Sequence, residues 1–191
     1  MRDKLKIICT VVLILLIIGI GIYNVFDINN IILKKIYPIK YENYVEKYAK
    51  QCNVDPLLVY SIIKAESNFK SSAKSSSGAQ GLMQIMEDTA KELSEKLEND
   101  SDIEIDLYDE EKNIMYGTEY YSYLLSHYNG IINLALAAYN AGIGNVDRWI
   151  KDGIIKEDGS NIENIPYKET NMYVRKILNN YTMYKKIYLK Q

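Results

Sequence analysis

Residues 7–26 carry no charged side chain and consist mostly of Ile, Leu and Val, unlike any other stretch of the chain. A helix of that length crosses the roughly 30 Å hydrocarbon core of a bilayer. A cleaved signal peptide would have a shorter apolar region, about 7–15 residues, closed by a small-x-small site. The one such site, Gly19-Ile20-Gly21, lies inside the run, so an uncleaved signal anchor is expected. Beyond it the pattern takes the helical period. Tyr44, Val45, Tyr48 and Ala49 share one side of a helix predicted over residues 41–51. Leu58, Ile62 and Ala65 do the same in the next helix, with Asp55 as its cap and Pro56 at its first position. Residues 70–78 read as a serine-rich loop. Glu87 and Asp88 open a helix running to about residue 97, and residues 98–108 are polar and irregular.

Asp109 starts a helix that Gly130 ends, with Ile114, Gly117, Tyr120, Tyr121, Leu124 and Leu125 in period. Residues 133–139 form a short apolar helix that breaks over 140–144. Residues 146–151 add a turn or two around Trp149, residues 151–165 are a loop, and residues 166–188 form a last long helix. No strand pattern persists, so the fold class is all-α. The chain divides into a cytoplasmic N-terminus (1–6), a transmembrane signal anchor (7–26), a juxtamembrane linker (27–40) and one helical domain (41–191). A domain of that size buries about two thirds of its unfolded surface.

Composition narrows the chemistry. The chain has 191 residues and a net charge of −2, with no basic stripe, so no nucleic-acid partner is expected. It holds one histidine, His127, which excludes a two-His metal site, and no cofactor or metal is expected. Cys9 lies in the apolar run and Cys52 in the helical domain, which leaves no disulfide framework. Cys52 with His127 would be the pairing for a thiol nucleophile, but a lone buried cysteine is the commoner case. Aromatic content is nearly all tyrosine, 18 residues against two Phe and one Trp. Tyrosine suits cores and polar polymer grooves alike.

The candidate acid is Glu66, at the end of the helix that Asp55 caps. Taken alone it reads as a solvated carboxylate at a helix C-terminus, where the dipole mildly disfavours it. Four segments in order change that reading: Glu66-Ser67-Asn68-Phe69, Ser77-Gly-Ala-Gln-Gly-Leu-Met-Gln84, Ala137-Ala-Tyr-Asn-Ala-Gly142 and Lys168-Glu-Thr-Asn-Met-Tyr-Val174. With them the chain, over about residues 41–188, resembles the lytic transglycosylases with the soluble-transglycosylase (SLT, goose-type-lysozyme-like) catalytic domain. The resemblance implies a murein-cleaving enzyme, with peptidoglycan glycan strands as its partner. It would cut the β-1,4 bond between N-acetylmuramic acid and N-acetylglucosamine and leave 1,6-anhydromuramyl ends. It assigns Glu66 as catalytic acid and base. Ser75 and Ser77 fall where hydroxyls near that glutamate are found. Met83 and Gln84 match a groove segment, Tyr139 and Asn140 flank the cleavage point, and Tyr173 orients the glutamate. The sequence departs from the family at Glu87 and Ile143, where proline is common.

Physical chemistry supports one carboxyl in this role. A glutamate at a buried helix end, walled by apolar and tyrosine side chains, has its pKa raised by desolvation. Ordinary glycosidases need a second carboxylate, whereas a reaction in which the muramyl C6 hydroxyl attacks C1 does not. Two alternatives stay open from sequence: a hydrolase of the same fold, and a non-catalytic wall-binding assembly component. Basic residues flank the apolar run on both sides (Arg2, Lys4 and Lys6; Lys34, Lys35 and Lys40), so loop charge does not orient it. A murein substrate would place the helical domain on the wall side of the cytoplasmic membrane, beside any envelope-spanning machinery for which it opens the wall.

Overall fold

Asp55 accepts a hydrogen bond from the Leu57 N–H (2.8 Å), and Pro56 occupies the first turn. These two residues start the helix on which the rest of the domain is built. The computed structural model describes residues 2–26, 28–98 and 105–189. Its helices are α1 (Arg2–Phe26), α2 (Ile28–Ile36), α3 (Glu42–Gln51), α4 (Pro56–Glu66), α5 (Glu87–Glu98), α6 (Glu110–His127), α7 (Ile132–Ala141), α8 (Ile143–Lys151) and α9 (Lys168–Tyr188). A short 3₁₀ turn, Ile162–Asn164, precedes α9. Among the described residues there is no strand, only isolated bridges from Gln80 to Lys74 and Ile85. The all-α expectation holds. Residues 99–104, part of the polar stretch expected between α5 and α6, lie outside the described residues.

The chain forms two units, Met1–Pro38 and Ile39–Gln191. In the first, Arg2–Tyr23 is a helix long and apolar enough to cross a membrane, and its side chains are exposed. In the second, α4 is the core element. Periodicity predicts one packed face, but Leu57 to Ile63 are all buried. Helices α3 and α9 enclose α4, and Tyr60 stacks on Tyr184 of α9 with ring centroids 5.9 Å apart. Each large apolar side chain buried this way contributes about 1.5–3 kcal/mol. Helix α6 starts at Asp109, whose carboxylate accepts from the Lys112 N–H (2.8 Å). After it ends, the Gly130 N–H (φ +82°) reaches back to the Leu125 carbonyl (2.8 Å).

Two boundaries differ from the sequence pattern. The break expected over residues 140–144 is a single residue, Gly142, between α7 and α8. At φ +84° it turns the chain at once, while its N–H still bonds to the Ala138 carbonyl (2.8 Å). The stretch expected to be a linker, residues 27–40, contains a helix of its own, α2.

Candidate active site

Glu66 is the last residue of α4, and two segments distant in sequence close around it. Helix α9 brings Tyr173, whose hydroxyl donates to Glu66 Oε1 at 2.6 Å. It also brings Lys176, whose ammonium donates to the Ala65 carbonyl (2.6 Å) at the negative end of α4. The last turn of α7 brings Tyr139 and Asn140. The Tyr139 hydroxyl donates to the Met83 carbonyl (2.8 Å), and Asn140 Oδ1 accepts from the Thr170 hydroxyl (2.7 Å) at the start of α9. The ends of α4, α7 and α9 and the loop at 79–85 are thereby tied into one cluster.

The carboxyl's surroundings set its proton affinity. Burial raises the Glu66 pKa from 4.5 to about 7, against the smaller lowering effects of the Tyr173 hydroxyl and the Lys176 charge. Among the described residues, no carboxylate shares in that shift. Burial, and secondarily the charge on Glu66, hold the phenols of Tyr139 and Tyr173 well above their ordinary range, so both stay hydrogen-bond donors. The Glu66 carboxyl therefore holds its proton far closer to neutral pH than an ordinary glutamate does, with a fixed donor on one carboxyl oxygen.

A substitution tests that bond. Tyr173→Phe removes a hydroxyl that favours the ionised carboxyl, so the Glu66 pKa is expected to rise further. The alkaline limb of a rate–pH profile should move to higher pH, while the rate at the optimum falls about tenfold through lost orientation. An unmoved limb would contradict the assigned bond.

The loop that bears the second motif is held from beneath. Asn113 of α6 is fully buried. Its Oδ1 accepts from the Met83 N–H (2.7 Å), and its Nδ2 donates to the carbonyls of Gln80 and Leu107 (both 2.9 Å). Gly81 (φ +78°) lies so close to Asn113 and the Leu107 carbonyl that a Cβ would overlap both. The Ser67 hydroxyl donates to the Leu82 carbonyl (2.7 Å), joining the end of α4 to the same loop. Three non-glycine residues here have left-handed backbones: Asn68 (φ +50°), Phe69 (φ +65°) and Gln84 (φ +52°). Each such position costs about 1–3 kcal/mol and persists where its surroundings dictate it. Phe69 is held by burial, and Gln84 by its amide, which donates to the Gly81 (2.9 Å) and Ala73 (3.3 Å) carbonyls.

The structure brings Glu66, Tyr173, Tyr139 and the Met83 backbone together. The Met83 side chain faces the core against Gly117 and Thr118, so Met83 meets the cluster through its carbonyl alone. Ser75 closes the serine-rich loop, its hydroxyl accepting from the Ala79 N–H (3.0 Å), while Ser77 and Asn140 are exposed. Glu169 is exposed in the first turn of α9. Trp149 is buried beneath the edge of Tyr167 (5.0 Å between centroids). His127 pairs with Asp147 (3.2 Å). Burial, then Glu119, push the Cys52 thiol up to about 12, which leaves it protonated. Asn113, Ser67 and Lys176 are the residues that sequence reasoning missed. Each acts on a backbone carbonyl or amide, and only the recurrence of a polar residue on an otherwise apolar face marks Asn113.

A groove of about 650 Å³ lies between α5, α6 and the start of α8, lined by Thr89, Leu93, Tyr120, Tyr123 and Ile143. It does not include Glu66. It adjoins the cluster through Tyr120, whose ring lies 5.3 Å from that of Tyr139. The carboxyl, rather than this groove, is the candidate for the chemistry.

Known proteins share this fold. The sequence profile of the transglycosylase SLT domain matches residues 43–161. A soluble lytic murein transglycosylase of Salmonella typhimurium is 32% identical over 148 residues, 76% of this chain and 23% of that protein. A membrane-bound lytic murein transglycosylase C of Edwardsiella ictaluri is 36% identical over 118 residues, 57% of this chain and 33% of that protein. Among solved structures, an inactive mutant of lytic transglycosylase Slt from Pseudomonas aeruginosa superposes with a TM-score of 0.73 at 36% identity, covering 81% of this chain and 25% of the other. The 70 kDa soluble lytic transglycosylase of Escherichia coli gives 0.71 at 29% identity, with the same coverage of both chains. The chain thus spans about a quarter of the length of the first of these relatives.

Proposed function

Because the chain belongs to the transglycosylase SLT family, we propose that it is a peptidoglycan lytic transglycosylase with Glu66 as its sole acid and base. The observation that carries this reading is the Glu66 carboxyl, pushed up to about 7 by burial and held by Tyr173. In its protonated form it gives its proton to the glycosidic oxygen leaving as the N-acetylglucosamine 4-hydroxyl. The bond from that oxygen to C1 of N-acetylmuramic acid breaks, with positive charge building on C1. The substrate's acetamido group stabilises that charge, and the muramyl C6 oxygen bonds to C1 to form the 1,6-anhydro ring. Glu66, now ionised, takes the C6 hydroxyl proton and is restored. Protons balance and no water is consumed.

A carboxyl with this proton affinity can run both halves near neutral pH. Tyr173 is the positioning residue. Tyr139 and Asn140 border the reacting sugars, Ser77 lies on the rim, and Ser75, Met83 and Gln84 act through the loop they shape. The groove beside Tyr120 extends from the cluster and suits a polymer rather than a small glycoside.

We assign residues 1–6 to the cytoplasm, 7–26 to a single-pass anchor, 27–40 to the linker and 41–191 to a catalytic domain facing the wall. The apolar helix α1 supports the span, and a murein substrate outside the membrane requires this orientation. Such an enzyme would act locally, including beside an envelope-spanning machine.

Mass analysis of murein digested by the full chain in detergent tests the chemistry. Muropeptides ending in anhydromuramic acid, one water lighter than reducing ends, are the expected product. Mostly reducing ends would make it a hydrolase of the same fold, and no cleavage would leave the wall-binding role.

A further inference from the structure

The proposed chemistry makes no use of α2, although α2 carries an exposed apolar face. Ile28, Ile32 and Ile36 recur at four-residue spacing with Ile31 beside them, and between 38% and 59% of each is exposed. At 3.6 residues per turn, Asn30 and Lys34 fall on the opposite side. No residue of α2 is buried. Nine residues are too few for a helix to persist in water on its own backbone bonds, so a surface that takes up the isoleucines would account for its form.

Two observations identify that surface. The first is continuity. At about 1.5 Å per residue the 20 uncharged residues 7–26 already match a hydrocarbon core of roughly 30 Å, so α2 begins at the boundary between lipid and water. Tyr23 marks that level, as tyrosines do at membrane interfaces, and its hydroxyl accepts from the Asn29 amide. The second is charge. Residues 27–40 contain Lys34, Lys35 and Lys40 against a single acidic residue, Asp27. Lys35 falls on the isoleucine side in the last turn, where its stem can follow the apolar surface while its ammonium reaches the headgroups.

We propose that α2 lies flat on the leaflet it emerges from, with Ile28, Ile31, Ile32 and Ile36 among the upper acyl chains and Lys35 against anionic lipid headgroups. This rests on the reading of α1 as a membrane span. It means that the chain leaves the membrane along its surface rather than away from it.

The test uses the full chain, with Cys9→Ser and Cys52→Ala, in nanodiscs of phosphatidylglycerol and phosphatidylcholine. An environment-sensitive fluorophore is attached at Ile32→Cys, Ile36→Cys, Asn30→Cys or Lys34→Cys, one position at a time. Nitroxide lipids are expected to quench labels at 32 and 36 at least about twofold more than those at 30 and 34, and aqueous iodide should reverse the order. Nanodiscs of phosphatidylcholine alone should narrow the difference, as should Lys35→Gln. Co-elution of the chain with the discs reports α1 separately. A chain that does not co-elute overturns the span and the proposal together. A chain that co-elutes while iodide quenches all four labels alike leaves the span standing and overturns the placement of α2. Labels at 32 and 36 that are shielded from both quenchers would mean a protein surface, such as a second copy, covers the face, which also overturns it.

Discussion

Glu66→Gln is expected to lower murein cleavage by about a thousandfold or more, the scale of a lost general acid and base, while raising stability at alkaline pH. The two effects share one cause. The folded protein binds the Glu66 proton more tightly than the unfolded chain does, with a pKa of about 7 against 4.5. The group's favourable contribution is therefore complete below about pH 4.5 and is lost as pH rises through about 7. Above that, the native state carries a buried carboxylate that the unfolded chain would hydrate better. Glutamine is neutral throughout, and its carbonyl can still accept from the Tyr173 hydroxyl. Denaturant unfolding at pH 8 should show the variant more stable by about 1–3 kcal/mol, with the two proteins converging near pH 4. Retained cleavage would remove Glu66 from the chemistry. Equal stability at both pH values would mean that the carboxyl is not buried as described.

Asn113→Leu is expected to have the largest effect on stability, although Asn113 touches neither Glu66 nor the tyrosines in hydrogen bonding. Its removal leaves the Met83 N–H and the Leu107 carbonyl without their partner, and each buried orphan costs about 1–3 kcal/mol. The Gln80 carbonyl keeps the Ile85 N–H (3.0 Å), so the loss is expected at about 3–5 kcal/mol rather than more. Cleavage should fall beyond the unfolded fraction, because the Met83 carbonyl holds Tyr139. Asn113→Asp is a useful companion. It keeps an acceptor for the Met83 N–H but turns a carboxylate oxygen towards two carbonyls, and should also destabilise. Variants within about 1 kcal/mol of the parent would show that the loop holds itself.

The residues that anticipated the fold act over short distances in the chain. Asp55 and Asp109 accept from N–H groups two and three residues ahead, and Gly130 bonds back five residues. Such signals are legible in a window of sequence, and so are the apolar run of α1 and the period of α6. The same reasoning missed that α7 and α8 are separated by one residue, because the length of a break depends on backbone angles at Gly142. It also described Met83 as a groove residue from its motif, whereas the side chain fills the core beside Gly117 and the carbonyl faces Tyr139. A motif records which residue stands at a position and leaves open which of its atoms is used.

For Glu66 the division is sharpest. Read along the chain, a glutamate ends a capped helix, three further motifs follow in family order, and no metal-site pattern accompanies them. What that glutamate is chemically depends on residues brought to it by folding. Tyr173 lies 107 residues away and Lys176 reaches the carbonyl before Glu66 from 111 residues away. Proton affinity depends on what surrounds a carboxyl in space, and that enclosure exists only once α4, α7, α9 and the loop pinned by Asn113 have met.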